Sequence, residues 1–251
     1  MPFTVSHAAA VLPLHRLGKH QLPLTALMIG SMAPDFGYFF SFGLSRELTH
    51  SFSGLFIFAL PVGLAVWLFY VAMLEKATIT LLSDRWHTRF AHTEALTAPL
   101  IARACIAIVL GAITHLLWDA FTHRGTFAAK AFPVLLEPTP GIGWMPLHHL
   151  LHGLSSVVGL ALLVAWARNL HRLPAKSLIR PYKISERVRI GALWFVLGAS
   201  LLAGVVQWLP HAHGFYDAQF FYAAVGTMSG FFVAWCCVAV GMWINAQRVA
   251  K

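Results

Sequence analysis

Charge is scarce in this sequence, and acid is scarcest: nine Asp and Glu in 251 residues, against eighteen Lys and Arg. Charged side chains are 11% and hydrophobic ones 58% of the chain, with a mean hydropathy of +0.69. A soluble domain holds about 25% charged and about 45–50% apolar residues. The deficit of charge excludes an ordinary soluble globular fold and predicts an integral membrane protein. Cysteine is also rare. Cys105, Cys236 and Cys237 lie inside apolar runs without Cys-x-x-Cys spacing, which argues against a disulfide framework and a thiolate zinc site. The N-terminus MPFTVSHAAAVLPLHR lacks a basic start and a clean apolar core, so no cleavable signal peptide is expected and insertion falls to internal helices. No Gly-rich phosphate loop, Ser-His-Asp arrangement, internal repeat or low-complexity tract stands out. The net charge of +9 is carried by loops between apolar runs, where it sets membrane topology; no nucleic-acid partner is expected.

What the sequence has in quantity is long apolar runs. Five approach the roughly 20 residues that a bilayer crossing needs: Leu55–Leu74, Leu100–Leu117, Leu150–Trp166, Ile190–Leu209 and Phe220–Ile244. The run from Leu22 to Gly43 is interrupted by Pro34-Asp35. Proline disfavours helix for the residue before it and removes a backbone donor, so 22–33 reads as a helix broken at Ala33-Pro34-Asp35. Thr4 or Ser6 is placed to cap a short helix starting near His7. The expected fold is all-α: five transmembrane helices plus an N-terminal helical interfacial or re-entrant segment. It forms one membrane domain over 1–251, with 161–251 as additional helices beyond a 1–160 region that carries the polar motifs. Arg124 to Pro146, rich in Gly and Pro, reads as a long loop. Aromatics such as Trp67, Trp118, Trp144, Trp166 and Trp208 fit an interfacial belt.

The loops orient the spans. Residues 168–189 carry Arg168, Arg172, Lys176, Arg180, Lys183, Arg187 and Arg189 against Glu186, whereas 210–219 has no Lys or Arg. The first loop is therefore expected in the cytoplasm and the second outside. Asp84, Arg85, Arg89 and Glu94 then form a solvated cytoplasmic face. Counting back, His50, Asp119, His123, His148, His149 and His152 all gather at the outer surface. Asp35 joins them if the N-terminal segment does not cross.

The densest chemistry is in Thr114–His123, THLLWDAFTH. His115, Asp119 and His123 are spaced four apart and so share one helical face. An acid at the bilayer centre costs about 2.5–3.5 kcal/mol on insertion scales, a cost that falls near the surface or when the carboxylate holds a cation. His115 and Asp119, about 6 Å apart along the axis, are close enough to share a metal. His123, about 12 Å from His115, is too far to join the same ion, although Asp119 can bridge two ions about 3.5–4 Å apart. The competing reading is a hydrogen-bonded polar cluster at a helix end. His50 is a third candidate ligand or an interfacial histidine. Asp35 is a ligand, an ion-pair partner or a general base. His148 and His152 form a possible second imidazole pair, and Arg124 or Lys130 a phosphate contact against a default of solvated loop charge. Nitrogen and oxygen ligands without thiolate suit a divalent metal, zinc first, without excluding manganese or iron.

The segments MPFTVSHAAAVLPL, PLTALMIGSMAPDFGYF, LTHSFSG and GAITHLLWDAFTH resemble an uncharacterised family of bacterial membrane proteins. That family is itself similar to inner-membrane metal-dependent hydrolases and, more remotely, to zinc-dependent phospholipase C. The likeness covers about the first 160 residues. It implies His7 as the N-terminal ligand, Asp35 as ligand or base, His50 as the next ligand, His115 and Asp119 as the helical pair, and His123 as a following histidine. The His-x-x-x-Glu pair of the phospholipases has only His148-x-x-x-His152 as its counterpart. The resulting expectation is a hydrolase of the bacterial inner membrane, acting on a phosphoester or ester of a lipid or lipid-linked substrate, with membrane lipids as its partners. A non-enzymatic protein with a structural or vestigial metal site, a haem protein using paired histidines and an ion-handling membrane protein are the alternatives.

Overall fold

A computed structural model describes residues 4–40, 43–83, 86, 95–170, 180–213 and 216–249. These are helical nearly throughout; among them the β features amount to an isolated bridge between Pro138 and Pro146. Five helices are long and apolar enough to cross a membrane: Phe52–Leu81, Ala98–Thr122, Leu147–Leu170, Glu186–His211 and Ala218–Arg248. Each extends the corresponding apolar run, because helix continues into flanking polar residues that composition assigns to loops. The protein is thus a helical, multi-pass membrane protein. The first span continues as helix through Glu75–Leu81. Asp84, Arg85, Arg89, Glu94, Arg172 and Lys176 lie outside the described residues.

The chain divides into two compact units, 1–67 with 95–168, and 68–94 with 169–251. In the second unit, Gly226 and Gly230 lie at the crossing of Glu186–Trp208 with Tyr216–Val249. A Cβ on Gly226 would stand 2.5 Å from the Ala203 carbonyl oxygen. Arg180 donates to the carbonyls of Thr80 and Leu82, and Arg189 to that of Leu81. These bonds satisfy acceptors that a helix end leaves open.

The first unit contains every candidate residue. Leu24–Met32 crosses Ala98–Thr122 at glycines: a Cβ on Gly30 would stand 2.3 Å from the Ile108 oxygen, and one on Gly111 2.3 Å from the Leu27 oxygen. Small residues let two backbones approach this closely. The chain then tightens into 3-10 helix at Ala33–Asp35 and resumes at Phe36–Phe40, so the proline produces a local change of pitch within a helical path.

Residues Thr4–Ala10 form 3-10 helix running into Val11–Leu17. Neither Thr4 nor Ser6 is a cap. Both hydroxyls make tertiary bonds instead, Thr4 to the Asp35 carboxylate and Ser6 to the Ser156 carbonyl. Gly159 admits this segment, since a Cβ there would meet Ser6 at 2.8 Å. Trp67 also departs from the interfacial reading. It is fully buried and its indole N–H donates to Thr25, a partner that a buried indole requires. The stretch after His123 is built from Phe127–Ala131 and the 3-10 turn Pro133–Leu136, where Gly and Pro content suggests open loop.

Candidate metal centre

Four backbone segments converge on one buried cluster. The Ala98–Thr122 helix, capped by Thr97, presents His115 and Asp119 one turn apart. The Ala33–Asp35 turn presents Asp35. The N-terminal 3-10 helix supplies His7. His50 comes from a tight corner: Ser45 caps Arg46–Thr49, Ser51 caps Phe52–Gly54, and a Cβ on Gly54 would stand 2.1 Å from the Leu48 oxygen. His50 thus lies just before one membrane helix and Asp119 near the end of another.

The side-chain distances are short and consistent. His50 Nε2 is 3.3 Å from Asp35 Oδ1 and 3.7 Å from Asp119 Oδ2. His115 Nε2 is 3.6 Å from each of the same two oxygens. Tetrahedral zinc with bonds of about 2.0–2.1 Å sets its ligand atoms about 3.3 Å apart. His50, His115 and Asp119 form one triad whose ligand atoms lie within 4.8 Å of one another. His7 closes a further triad with Asp35 and His115, its ligand atoms within 4.8 Å of one another. His7 Nε2 also lies 3.6 Å from Asp119 Oδ1, and its ring stacks on His115 at 3.9 Å.

Satisfaction of the polar atoms separates ligand-facing from scaffold-facing groups. His115 Nδ1 is 2.8 Å from the Ser31 carbonyl. Because a carbonyl only accepts, Nδ1 carries the proton and Nε2 presents its lone pair to the cluster. Asp35 Oδ2 accepts from Thr4 at 2.8 Å, and His50 Nδ1 lies 2.9 Å from the Thr49 hydroxyl. By contrast, Asp35 Oδ1, Asp119 Oδ1, His50 Nε2, His115 Nε2 and both nitrogens of His7 are buried without a hydrogen-bond partner. Each such group costs about 1–3 kcal/mol if left so. These orphaned atoms converge, and a divalent cation fits them.

Burial, with the neighbouring His115 imidazole adding to it, lowers the pKa of His7 to about 3 and holds it neutral, the form that ligates. Burial pushes the Asp35 carboxyl upward, while His115 and His50, where protonated, draw it below the usual carboxylate range. Burial raises the Tyr38 phenol, beside Arg46, to about 12.

The peripheral histidines sort differently. His123 Nδ1 is 3.5 Å from Asp119 Oδ2 and 3.1 Å from the Thr122 hydroxyl, so the helical face of three is formed. Burial first lowers its pKa, to about 4. His152 faces His123, with ring centroids 5.5 Å apart. His148 Nδ1 points to the Leu135 carbonyl at 2.9 Å, which is scaffolding. Arg124 and Lys130 are exposed. The guanidinium at the cluster belongs to Arg46, whose NH2 is 2.9 Å from Asp119 Oδ2. Thr4 and Arg46 escape a sequence reading because nothing in their spacing links residues 31 and 73 positions from their partners.

Neither a curated protein nor a solved structure matches the chain. A family model described as a domain of unknown function, DUF4184, matches residues 1–241, and the chain therefore belongs to that uncharacterised family.

Proposed function

We propose that the cluster binds a divalent metal, zinc first, and that the protein hydrolyses a phosphoester or ester of a lipid or lipid-linked substrate at the outer face of a bacterial inner membrane. The observation that carries this reading is the convergence of buried, unpartnered lone pairs from His7, Asp35, His50, His115 and Asp119.

A bound zinc ion supplies Lewis acidity toward a phosphoryl or carbonyl oxygen and lowers the pKa of water to about 7. The chain's own contribution is orientation and proton handling. His50, His115 and Asp119 hold the ion, with His115 locked in one tautomer by Ser31. Asp35, fixed through Oδ2 by Thr4, would offer Oδ1 to complete the metal site or to accept a proton from the attacking water. His50 precedes one span by two residues and Asp119 lies three from the end of another. That position suits a substrate whose reactive group sits among lipid headgroups.

A structural metal site is the second reading, favoured by one feature. Asp35 Oδ1 lies 3.3 Å from His50 Nε2 and 3.6 Å from His115 Nε2, and as a fourth ligand it would close the coordination, as in structural zinc sites, whereas catalytic ones keep a position open. Elemental analysis of detergent-purified protein separates metal from no metal. Zinc is expected near stoichiometry in the wild type and lost in both His115→Ala and Asp119→Ala; unchanged content in both variants would refute the site. In mixed micelles the wild type should release product from a phospholipid or lipid-linked phosphate, and a chelator or Asp35→Asn should abolish release. A metal-loaded protein inert toward a broad ester panel would leave the structural reading. A Soret absorption band would instead establish haem.

A further inference from the structure

We propose that Arg46 is the anion receptor of this site and that its ligand is a tetrahedral phosphate group, an inference that rests on the metal reading above. The juxtaposition is specific. Arg46 opens the short Arg46–Thr49 helix and brings its guanidinium against Asp119, while its side chain is 34% exposed. Its partner Asp119 is 6% exposed, and the other side chains of the cluster are shut away: Asp35 at 1%, His50 at 7% and His115 at 0%. Of these groups, Arg46 is the one that a molecule arriving from outside meets first.

Its bonding leaves capacity. An arginine kept as a counterion for a carboxylate commonly grips both oxygens with its fork. Here the described contact is a single NH2 to Oδ2, and Asp119 Oδ1 has no hydrogen-bond partner. Guanidinium carries five N–H donors in a plane, so donors remain for a second acceptor even with Tyr38 alongside.

Charge points the same way. Asp35 and Asp119 together balance one divalent ion, and neutral imidazoles add nothing. Arg46 then leaves the loaded site one positive charge in excess, in surroundings where an uncompensated charge is costly. An anionic ligand removes that excess. The planar fork matches phosphate oxygens in geometry as well as charge. A neutral carboxylic ester would bring no compensating charge, so the phosphoester branch of the proposed function is selected over the ester branch.

The test uses the full-length protein in detergent with zinc present, titrated with inorganic phosphate and, separately, with a short-chain phosphatidic acid. Arg46→Ala and Arg46→Lys are compared with the wild type, with zinc content and melting temperature measured on every sample. Arg46→Ala should weaken phosphate binding about ten- to a hundredfold, the loss expected for hydrogen bonds to a charged group, with zinc retained. Arg46→Lys should recover part of the loss, since it keeps the charge and loses the fork. Tighter Arg46-dependent binding of phosphatidic acid than of inorganic phosphate assigns the ligand to a lipid headgroup, and the reverse to a soluble phosphate. Equal phosphate affinity in the wild type and a folded Arg46→Ala, or no binding of either probe by zinc-loaded wild type, overturns the inference while leaving the metal site standing. Wild type without zinc defeats the metal reading and, with it, the charge argument for the receptor.

Discussion

At the scale of single residues, the cluster is organised by groups that would not themselves bind the metal. Thr4 holds one oxygen of Asp35, so that the other faces the histidines, and the Ser31 carbonyl fixes the ring of His115. Partners of this kind typically change metal affinity by about 10–100-fold when removed. Thr4→Val, nearly the same shape without the donor, should weaken zinc binding by at least about tenfold, and Thr4→Ser should restore it. Zinc competition against a chromogenic chelator reads this directly. Equal affinity in all three proteins would mean that Asp35 Oδ1 is not a ligand. Zinc should also raise the melting temperature of the wild type, because a ligand at a hundred times its Kd stabilises by about 2.7 kcal/mol. That rise should vanish in Asp119→Ala.

At the scale of elements, the crossing of Leu24–Met32 with Ala98–Thr122 decides whether His115 reaches its carbonyl. Gly111 stands where a methyl group would overlap the Leu27 carbonyl at 2.3 Å and crowd the Ser31 nitrogen at 2.6 Å. Gly111→Ala must therefore push the helices apart at the residue that orients His115. Overpacking of this kind costs about 1–3 kcal/mol, and zinc binding should fall with it. Gly153→Ala is the matched control, a helical glycine with open space around a Cβ. It should be neutral or stabilising by up to about 1 kcal/mol. Thermal melts and zinc content on both variants test the pair; similar behaviour would show that the close crossing does not control the site.

At the scale of the whole molecule, topology is set by charge in the loops. The seven Lys and Arg of 168–189 against one acid, and their absence from 210–219, are the basis for the proposed orientation of the last spans under the positive-inside rule. Reporters fused in 168–189 should register as cytoplasmic and those in 210–219 as external. A reversed pattern would turn the His50 and Asp119 ends of their spans inward and remove the outer-leaflet substrate from the proposal.

What the sequence determined by itself was the membrane-helical class, the five spans and most of the candidate ligands. Each of these is local: hydropathy over about 20 residues, and side chains four apart on one helix such as His115 and Asp119. Asp35 was legible as an acid inside an apolar stretch and His50 as a histidine at a span end, whereas His7 stood out chiefly as a motif of a resemblance. Their meeting with His115 and Asp119 was not legible, because no helical period links residues separated by tens of positions. Tertiary structure alone decided which hydroxyls became scaffold and not caps, and that Trp67 is buried rather than interfacial. It also chose Arg46 over Arg124 as the guanidinium beside Asp119. Those choices depend on glycines 30, 54, 111 and 159, whose missing side chains let distant backbones touch. A glycine in an apolar run reports nothing about what will occupy the space it leaves.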